Sequence, residues 1–352
     1  MRAKGKLIIF CLEFDNNSKL LQSNIDLVRA FAPHCDNILV VATHLGVIPE
    51  DLSGFQFIEL GGGTTRGRIL AIARLLRLIL LILFRWRKSW IFHHMSHRTA
   101  IFPGIVLKVF RFKQLLWYSH HSAPSSLRIA VKFVNEIVTP SKFSFPLSTR
   151  KVQVVGQAVD SSIIPVNFRE SRYRQTTRVL SVGRISEAKE IEKFLNLVQK
   201  IERSEKLSLI LLGETQNLSY LEGISKALNL MGGEVEVHGA VNRKEALHYM
   251  TNYGLYFSGT PKGVDRALIE AAMSGCLILT DNAGALELTG MDTILKEGGV
   301  RNFQDISQQY VYLSSLSPRQ RRNLGVKVSQ TARKTSDVHY AVSKILSLYR
   351  LE

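Results

Sequence analysis

The 352-residue sequence predicts an α/β protein of two Rossmann-like domains, each a doubly wound parallel sheet, facing one another across a cleft. Short, nearly all-apolar runs alternate with longer segments of helical period, the pattern of strands covered on both faces. That alternation lapses once, over a less regular passage at about 155–177, and then restarts. The length suits two domains of about 150 residues. A composition 45% hydrophobic and 21% charged supplies two cores and excludes disordered and low-complexity classes.

In the first half, KLIIFCL (6–12), NILVVATH (37–44), FQFIEL (55–60), WIFHHMS (90–96), QLLWYSH (114–120) and EIVTPS (136–141) read as strands. Helical stretches lie between them at 20–31, 66–88, 101–110 and 127–135. After the linker, RVLSVG (178–183), LSLILLG (207–213), EVEVHG (234–239), YGLYFSG (253–259) and CLILTD (276–281) read as strands. Helices at about 190–201, 218–230, 243–250 and 264–274 separate them. A last basic helix, capped near Ser336, is expected to cross back onto the first domain. The expected boundaries are therefore 1–160, 161–336 and a terminal helix at 337–352.

Three cysteines with no C-x-x-C pair argue against a disulfide scaffold or a cysteine-based zinc module and point to a reducing compartment. The opening MRAKGKLIIFCLEF is cut by Glu13 and reads as a first strand rather than a cleaved signal. The expected location is cytoplasmic, peripheral to the inner face of the cell membrane.

The charge is informative in its distribution. The chain carries a net +17, and residues 60–135 hold thirteen Lys and Arg with no Asp or Glu. Such asymmetry points to an anionic partner. On a helix over 66–88, Arg66, Arg74, Arg77, Arg85 and Lys88 fall within one arc of about 100°. Leu75, Ile79, Ile82, Leu83, Trp86, Ile72 and Leu76 lie opposite. The stretch is too short and too interrupted by Arg to span a bilayer, which needs about 20 apolar residues. One side is expected to cover a sheet. The basic face, with Trp86 at its flank, is expected to meet anionic headgroups. Nucleic acid is not expected, because the bases are accompanied by neither stacking platforms nor a recognition motif.

Two fragments carry chemistry. In VGRISEAKEIEKFLNLV (182–198) a strand ends in Gly183, and a loop with Arg184 and Lys189 leads into a helix. Two flexible cations beside a helix N-terminus suit a diphosphate; the plain alternative is two solvated bases. In GTPKGVDRALIEAAMSGCLILTDNAGALEL (259–288), Asp265 stands where a helix would be capped and Glu270 one and a half turns inside it. A carboxylate facing a cleft can accept two hydrogen bonds from a vicinal diol such as a ribose. The following NAGALE reads as a small-residue loop open to an anion at Gly284.

Two decoys are set aside. GGGTTRGR (61–68) breaks both the dinucleotide and the P-loop patterns. The histidines His93, His94, His97, His120 and His121 lack a nearby carboxylate, so no metal is expected.

Strand–Gly-Arg-x4-Lys–helix, then LILLGE, VEVHGAV and DRALIEAAMSG–strand–loop–Glu, at these spacings, resembles the nucleotide-binding domain of family 4 retaining glycosyltransferases of the bacterial surface-polysaccharide type, which have the two-domain GT-B fold. The resemblance covers roughly 114–350. It implies that Arg184 and Lys189 hold the donor diphosphate and that Glu270 binds the ribose. Gly183, Gly213, Glu214 and the segment around His238 would line the nucleotide pocket, with Lys262, Asp265 and Gly284 on the donor side. His120 would be the cleft histidine of the acceptor domain. The family implies retention of anomeric configuration, no metal and no cofactor beyond the nucleotide-sugar co-substrate. With the basic window, it implies a lipid-linked or oligosaccharide acceptor at the membrane surface. The chain departs from the family at Lys262, where a glutamate usually contacts the donor sugar, and in EFDNNSKLL, where a Gly-Gly loop usually stands. Two rival readings are a catalytically degenerate membrane-associated binding subunit and a nucleotide-sugar 2-epimerase, the latter opposed by the acid-free window.

Overall fold

The computed structural model describes residues 5–18, 23–61, 65–201 and 206–350, without the side chains of 65–71 and 350. The chain divides into two compact units, one of residues 1–158 with 338–352 and one of residues 159–337.

Unit 1 holds seven strands: β1 (Gly5–Phe14), β2 (Cys35–Leu45), β3 (Gln56–Glu59), β4 (Trp90–His94), β5 (Gln114–Trp117), β6 (Glu136–Thr139) and β7 (Val152–Val154). They form one parallel sheet in the order β3-β2-β1-β4-β5-β6-β7. The helices between them are α1 (Ser23–Phe31), α2 (Thr65–Arg85), α3 (Phe102–Val109) and α4 (Ser125–Phe133). Alternation along β1 divides the core between two faces. Leu7, Ile9 and Cys11 pack with α1 and with the last helix of the chain, Val338–Arg350. Ile8 and Phe10 pack under α2 and α3 with Leu78, Ile82, Trp86 and Leu107. Tyr349 of that last helix stacks on Trp90 and donates its hydroxyl to Ile91 O at 2.6 Å.

Unit 2 holds β8 (Arg178–Val182), β9 (Ser208–Leu212), β10 (Glu234–Val237), β11 (Leu255–Phe257) and β12 (Leu277–Leu279). They form a parallel sheet in the order β10-β9-β8-β11-β12. Its helices are α5 (Lys193–Lys200), α6 (Leu218–Leu230), α7 (Arg243–Asn252), α8 (Arg266–Met273), α9 (Ala283–Thr289), α10 (Met291–Glu297), α11 (Ile306–Ser315) and α12 (Pro318–Ser336). The Val338–Arg350 helix follows as α13. The passage before β8 is firmly anchored: buried Arg172 donates to Met250 O, Tyr253 O and Ser274 O, closing the carboxyl ends of α7 and α8.

Several details differ from the sequence reading. NAGALE is not a loop: Asn282 accepts from Ala285 N and caps α9, so Gly284 is buried in a helical first turn. The VQV strand β7 and helices α10 to α12 carry too short or too polar a pattern to have been read. The last helix starts at Val338, one position after the expected 337, and Ser336 ends α12 instead of capping the last helix. On α2, Trp86 is buried at 3% exposure, under the sheet-facing side, so it is not a membrane contact. Ile72 and Leu76, expected on the packed side, are instead exposed. The apolar arc of α2 is wider than the strip a sheet can cover, and its edge is left outside.

His93 at the end of β4 is fully buried, stacked on Phe10, with Nδ1 2.8 Å from the Thr99 hydroxyl and Nε2 3.2 Å from Gln114 Oε1. Burial pushes its pKa down from 6.5 to about 4, with the Gln114 bond opposing. The unfolded chain takes up this proton near its ordinary pKa and the folded chain only near the lowered one. The stability contribution is therefore complete above pH 6.5 and is lost as pH falls towards 4, by about 3 kcal/mol in all. Urea midpoints measured across that window should fall in the native chain, and His93→Gln should remove about that much of the fall.

Candidate functional site

In unit 2 the strand order reverses between β8 and β11, and ligands of such sheets lie outside the carboxyl ends of strands at that switch point. The loops leaving β8 and β9 meet there without side chains between them. A Cβ on Gly213 would lie 1.8 Å from Gly183 O, while Gly213 N donates to Gly239 O at 2.7 Å. Gly183 has φ +139° and lies against the Lys189 side chain.

Lys189 of the β8 loop reaches across to Asp265, which follows β11. Its Nζ donates to both carboxylate oxygens at 2.7 and 2.6 Å. The Thr260 hydroxyl donates to the same carboxylate at 2.8 Å and the Ser258 hydroxyl at 3.3 Å. Burial raises the Asp265 pKa, but the Lys189 ammonium and the two hydroxyls more than reverse this and hold it below the ordinary value. Asp265 occupies the N-cap position of α8, yet its side chain caps nothing. A cap is worth about 1 kcal/mol, so the residue forgoes local helix stabilisation to face Lys189. Arg184, in the same loop, is exposed and forms no ion pair among the described residues.

A second cation knits three loops together. Lys193 Nζ donates to Glu190 Oε2 at 2.7 Å, Asp281 Oδ2 at 2.6 Å and Gly259 O at 3.1 Å. Glu190 itself is left-handed, φ +44°, an unfavourable conformation for a side chain of this kind. The opposite loop comes so close that a Cβ on Gly259 would lie 2.3 Å from Glu190 O. Asn282 fixes that loop from the other side, its Nδ2 donating to Thr260 O and Gly263 O at 3.1 and 2.8 Å.

Glu270 is buried on α8, five positions beyond Asp265. Its Oε1 accepts from Arg243 at 2.7 Å and from Arg266 at 3.1 Å. The two guanidiniums fix the carboxylate's orientation. The Lys189–Asp265 and Glu270 clusters thus adjoin one short helix at the carboxyl edge of one sheet.

The remaining candidates are placed as follows. Lys262 is exposed in the loop before α8. Glu214 is exposed, with its carbonyl accepting from Ile185 N at 2.9 Å. His238, at the end of β10, has Nδ1 3.3 Å from the Tyr249 hydroxyl. His120 belongs to unit 1. Its Nδ1 accepts from Ser122 N, the ring stacks on His121, and burial followed by that neighbour lowers its pKa. Arg74, Arg77, Arg85 and Lys88 are exposed on α2 and the turn after it, while the side chain of Arg66 lies outside the described residues. The sequence reading passed over Lys193, Arg243 and Asn282. Only Asn282 left a usable signal, an N-cap residue before a helical segment.

Two outcomes test the geometry. Gly213→Ala should cost about 3 kcal/mol, because backbone must move to admit one methyl group; chemical denaturation reads this. Asp265→Ser restores a capping side chain while removing the partner of Lys189. Its stability should stay within about 1 kcal/mol of the parent chain, read by the same denaturation.

Comparison with known proteins agrees with this architecture. Residues 166–293 match the glycosyl transferases group 1 family. No curated protein sequence matches the chain. HepE (Alr3699) of Anabaena, solved with UDP, is 15% identical over 98% of this chain and 99% of its own, with a TM-score of 0.70. A glycosyltransferase from Rickettsia africae ESF-5 gives 0.70 at 12% identity, over 99% of this chain and 98% of its own. The lipopolysaccharide outer core galactosyltransferase WaaB, in its apo form, gives 0.68 at 11%, over 98% and 99%. At such identities the likeness is one of fold. The family match covers the larger part of unit 2 and the fold match nearly all of the chain: the protein has the fold of the GT-B glycosyltransferases, and its second unit is similar to the glycosyl transferases group 1 family over residues 166–293.

Proposed function

We propose that the protein is a retaining, metal-independent glycosyltransferase that moves a sugar from a UDP- or GDP-linked donor to a lipid-linked or saccharide acceptor at an anionic membrane surface. The observation that carries this reading is the Lys189–Asp265 pair joining the β8 and β11 loops at the switch point, with Arg184 exposed beside it. A diphosphate set at this edge meets two cations whose loops are already fixed, and preorganised charge is what a departing phosphate requires. Glu270, held by Arg243 and Arg266, is the group assigned to the ribose. Gly183, Gly213, Glu214 and His238 border the same edge, and Lys262 stands at the position where the family resemblance would put a sugar-contacting glutamate. His120 is assigned to the acceptor side, in unit 1.

In the proposed reaction the bond between the anomeric carbon and the diphosphate breaks. The acceptor oxygen bonds that carbon on the same face, and the acceptor's proton passes to a diphosphate oxygen. Arg184 and Lys189 stabilise the charge left on the departing nucleoside diphosphate. HepE is seen with UDP and glucose, which makes a UDP-hexose the first donor to try. The acid-free stretch 60–135 supports the membrane side of the reading.

The test is a panel of UDP- and GDP-sugars, with binding read by thermal shift and slow sugar release read without acceptor. One nucleotide series should bind and release sugar. Arg184→Ala and Lys189→Ala should each lower turnover by about 2–4 kcal/mol of transition-state stabilisation. Lys262, in place of an acid, favours the binding-subunit reading, and failure of both nucleotide series to bind would overturn the enzymatic reading in its favour.

A further inference from the structure

The outward sides of α2 and α3 are apolar in a way that covering a sheet does not explain. Ile72, Leu76, Leu80 and Phe84, spaced four apart along α2, are 55% to 80% exposed. On α3 and at the residue that ends it, Phe102, Ile105, Val109 and Phe110 are 41% to 77% exposed. The two helices contact each other and bury their other sides in one cluster on the same face of the unit 1 sheet. Isolated exposed apolar residues are ordinary, but eight on two adjoining helices mark a contact surface.

The charges beside them choose the occupant. Arg77, Arg85, Arg87 and Lys88 flank the α2 ridge, and Lys108 and Arg111 flank that of α3, with no acid anywhere from 60 to 135. A second copy of the chain would bring the same bases against these and be repelled. A surface offering both acyl chains and anionic headgroups satisfies the two sets together. Among the described residues no helix is long and apolar enough to cross a membrane.

We infer that the α2–α3 face lies in the plane of an anionic bilayer and inserts this apolar ridge below the headgroups, so that docking is by insertion rather than by charge alone. This rests on the membrane side of the proposed function and changes its contacts. Trp86 faces the core, and Leu80 and Phe84 take the place at the lipid expected for it.

The test uses the full chain with phosphatidylcholine vesicles, with and without phosphatidylglycerol, at low and high salt. Binding to the anionic vesicles should survive high salt. Leu80→Ser with Phe84→Ser should weaken it about tenfold per side chain removed from the acyl region. Arg77→Gln with Arg85→Gln should weaken it mainly at low salt. In Phe84→Trp, the new indole should be quenched by brominated lipid, while the parent chain should show little quenching. Binding abolished by salt and unchanged in the serine pair would overturn insertion, as would no vesicle binding, or a dimer in light scattering that the serine pair dissolves. UDP-sugar binding by the serine pair is measured alongside. Loss of vesicle binding by the serine pair with donor binding intact supports insertion. Absence of vesicle binding by the parent chain with donor binding intact overturns this inference alone, whereas failure of every donor to bind overturns the enzymatic reading and leaves docking standing.

Discussion

Unit 2 is organised by how closely its loops approach one another. Gly213 against Gly183, and Gly259 against Glu190, leave no space for a methyl group, so the segments leaving β8, β9 and β11 are locked by backbone before any side chain acts. Against that frame, Lys189 has one place to reach, and Asp265 stands there. The left-handed Glu190 immediately after Lys189 is a local cost of order 1–3 kcal/mol, and the three contacts of Lys193 hold it in place.

The resulting edge has fixed charges at short range. Lys189 is matched by one carboxylate and Glu270 by two guanidiniums, while Arg184 and Lys262 stay exposed. Charge held in position costs no reorganisation when a phosphate arrives or departs, which gives such an arrangement more effect than the same residues free in water. A diphosphate would have to draw Lys189 partly away from Asp265, so that carboxylate sets how strongly the ammonium is offered. On the proposed function it is a positioning residue, and its side chain leaves the cap of α8 unmade.

Much of this was legible in the sequence. The apolar runs located β1 to β6 and β8 to β12, because strands covered on both faces leave few polar positions to mislead. Arg184, Lys189, Asp265 and Glu270 stood out through spacing relative to strand ends and helix starts. What stayed hidden depends on contacts distant in sequence. Nothing local announces that Arg172 closes two helices some 80 and 100 positions away, or that Arg243 pairs with Glu270. β7 and α10 lacked the length for a pattern. The misplacement of Ile72 and Leu76 has a different origin: a helical wheel divides a helix into halves, whereas a sheet covers a narrower strip. The wheel set Trp86 on the packed side, where it lies, and only its neighbouring bases suggested a lipid contact.

The most direct measurement is a crystal structure of the chain soaked with a UDP-sugar. The account places diphosphate oxygens within hydrogen-bonding distance of the Lys189 ammonium and the Arg184 guanidinium, with a ribose hydroxyl on the Glu270 carboxylate. A nucleotide held elsewhere on the molecule, with the Lys189–Asp265 contact undisturbed and Arg184 still facing solvent, would contradict it.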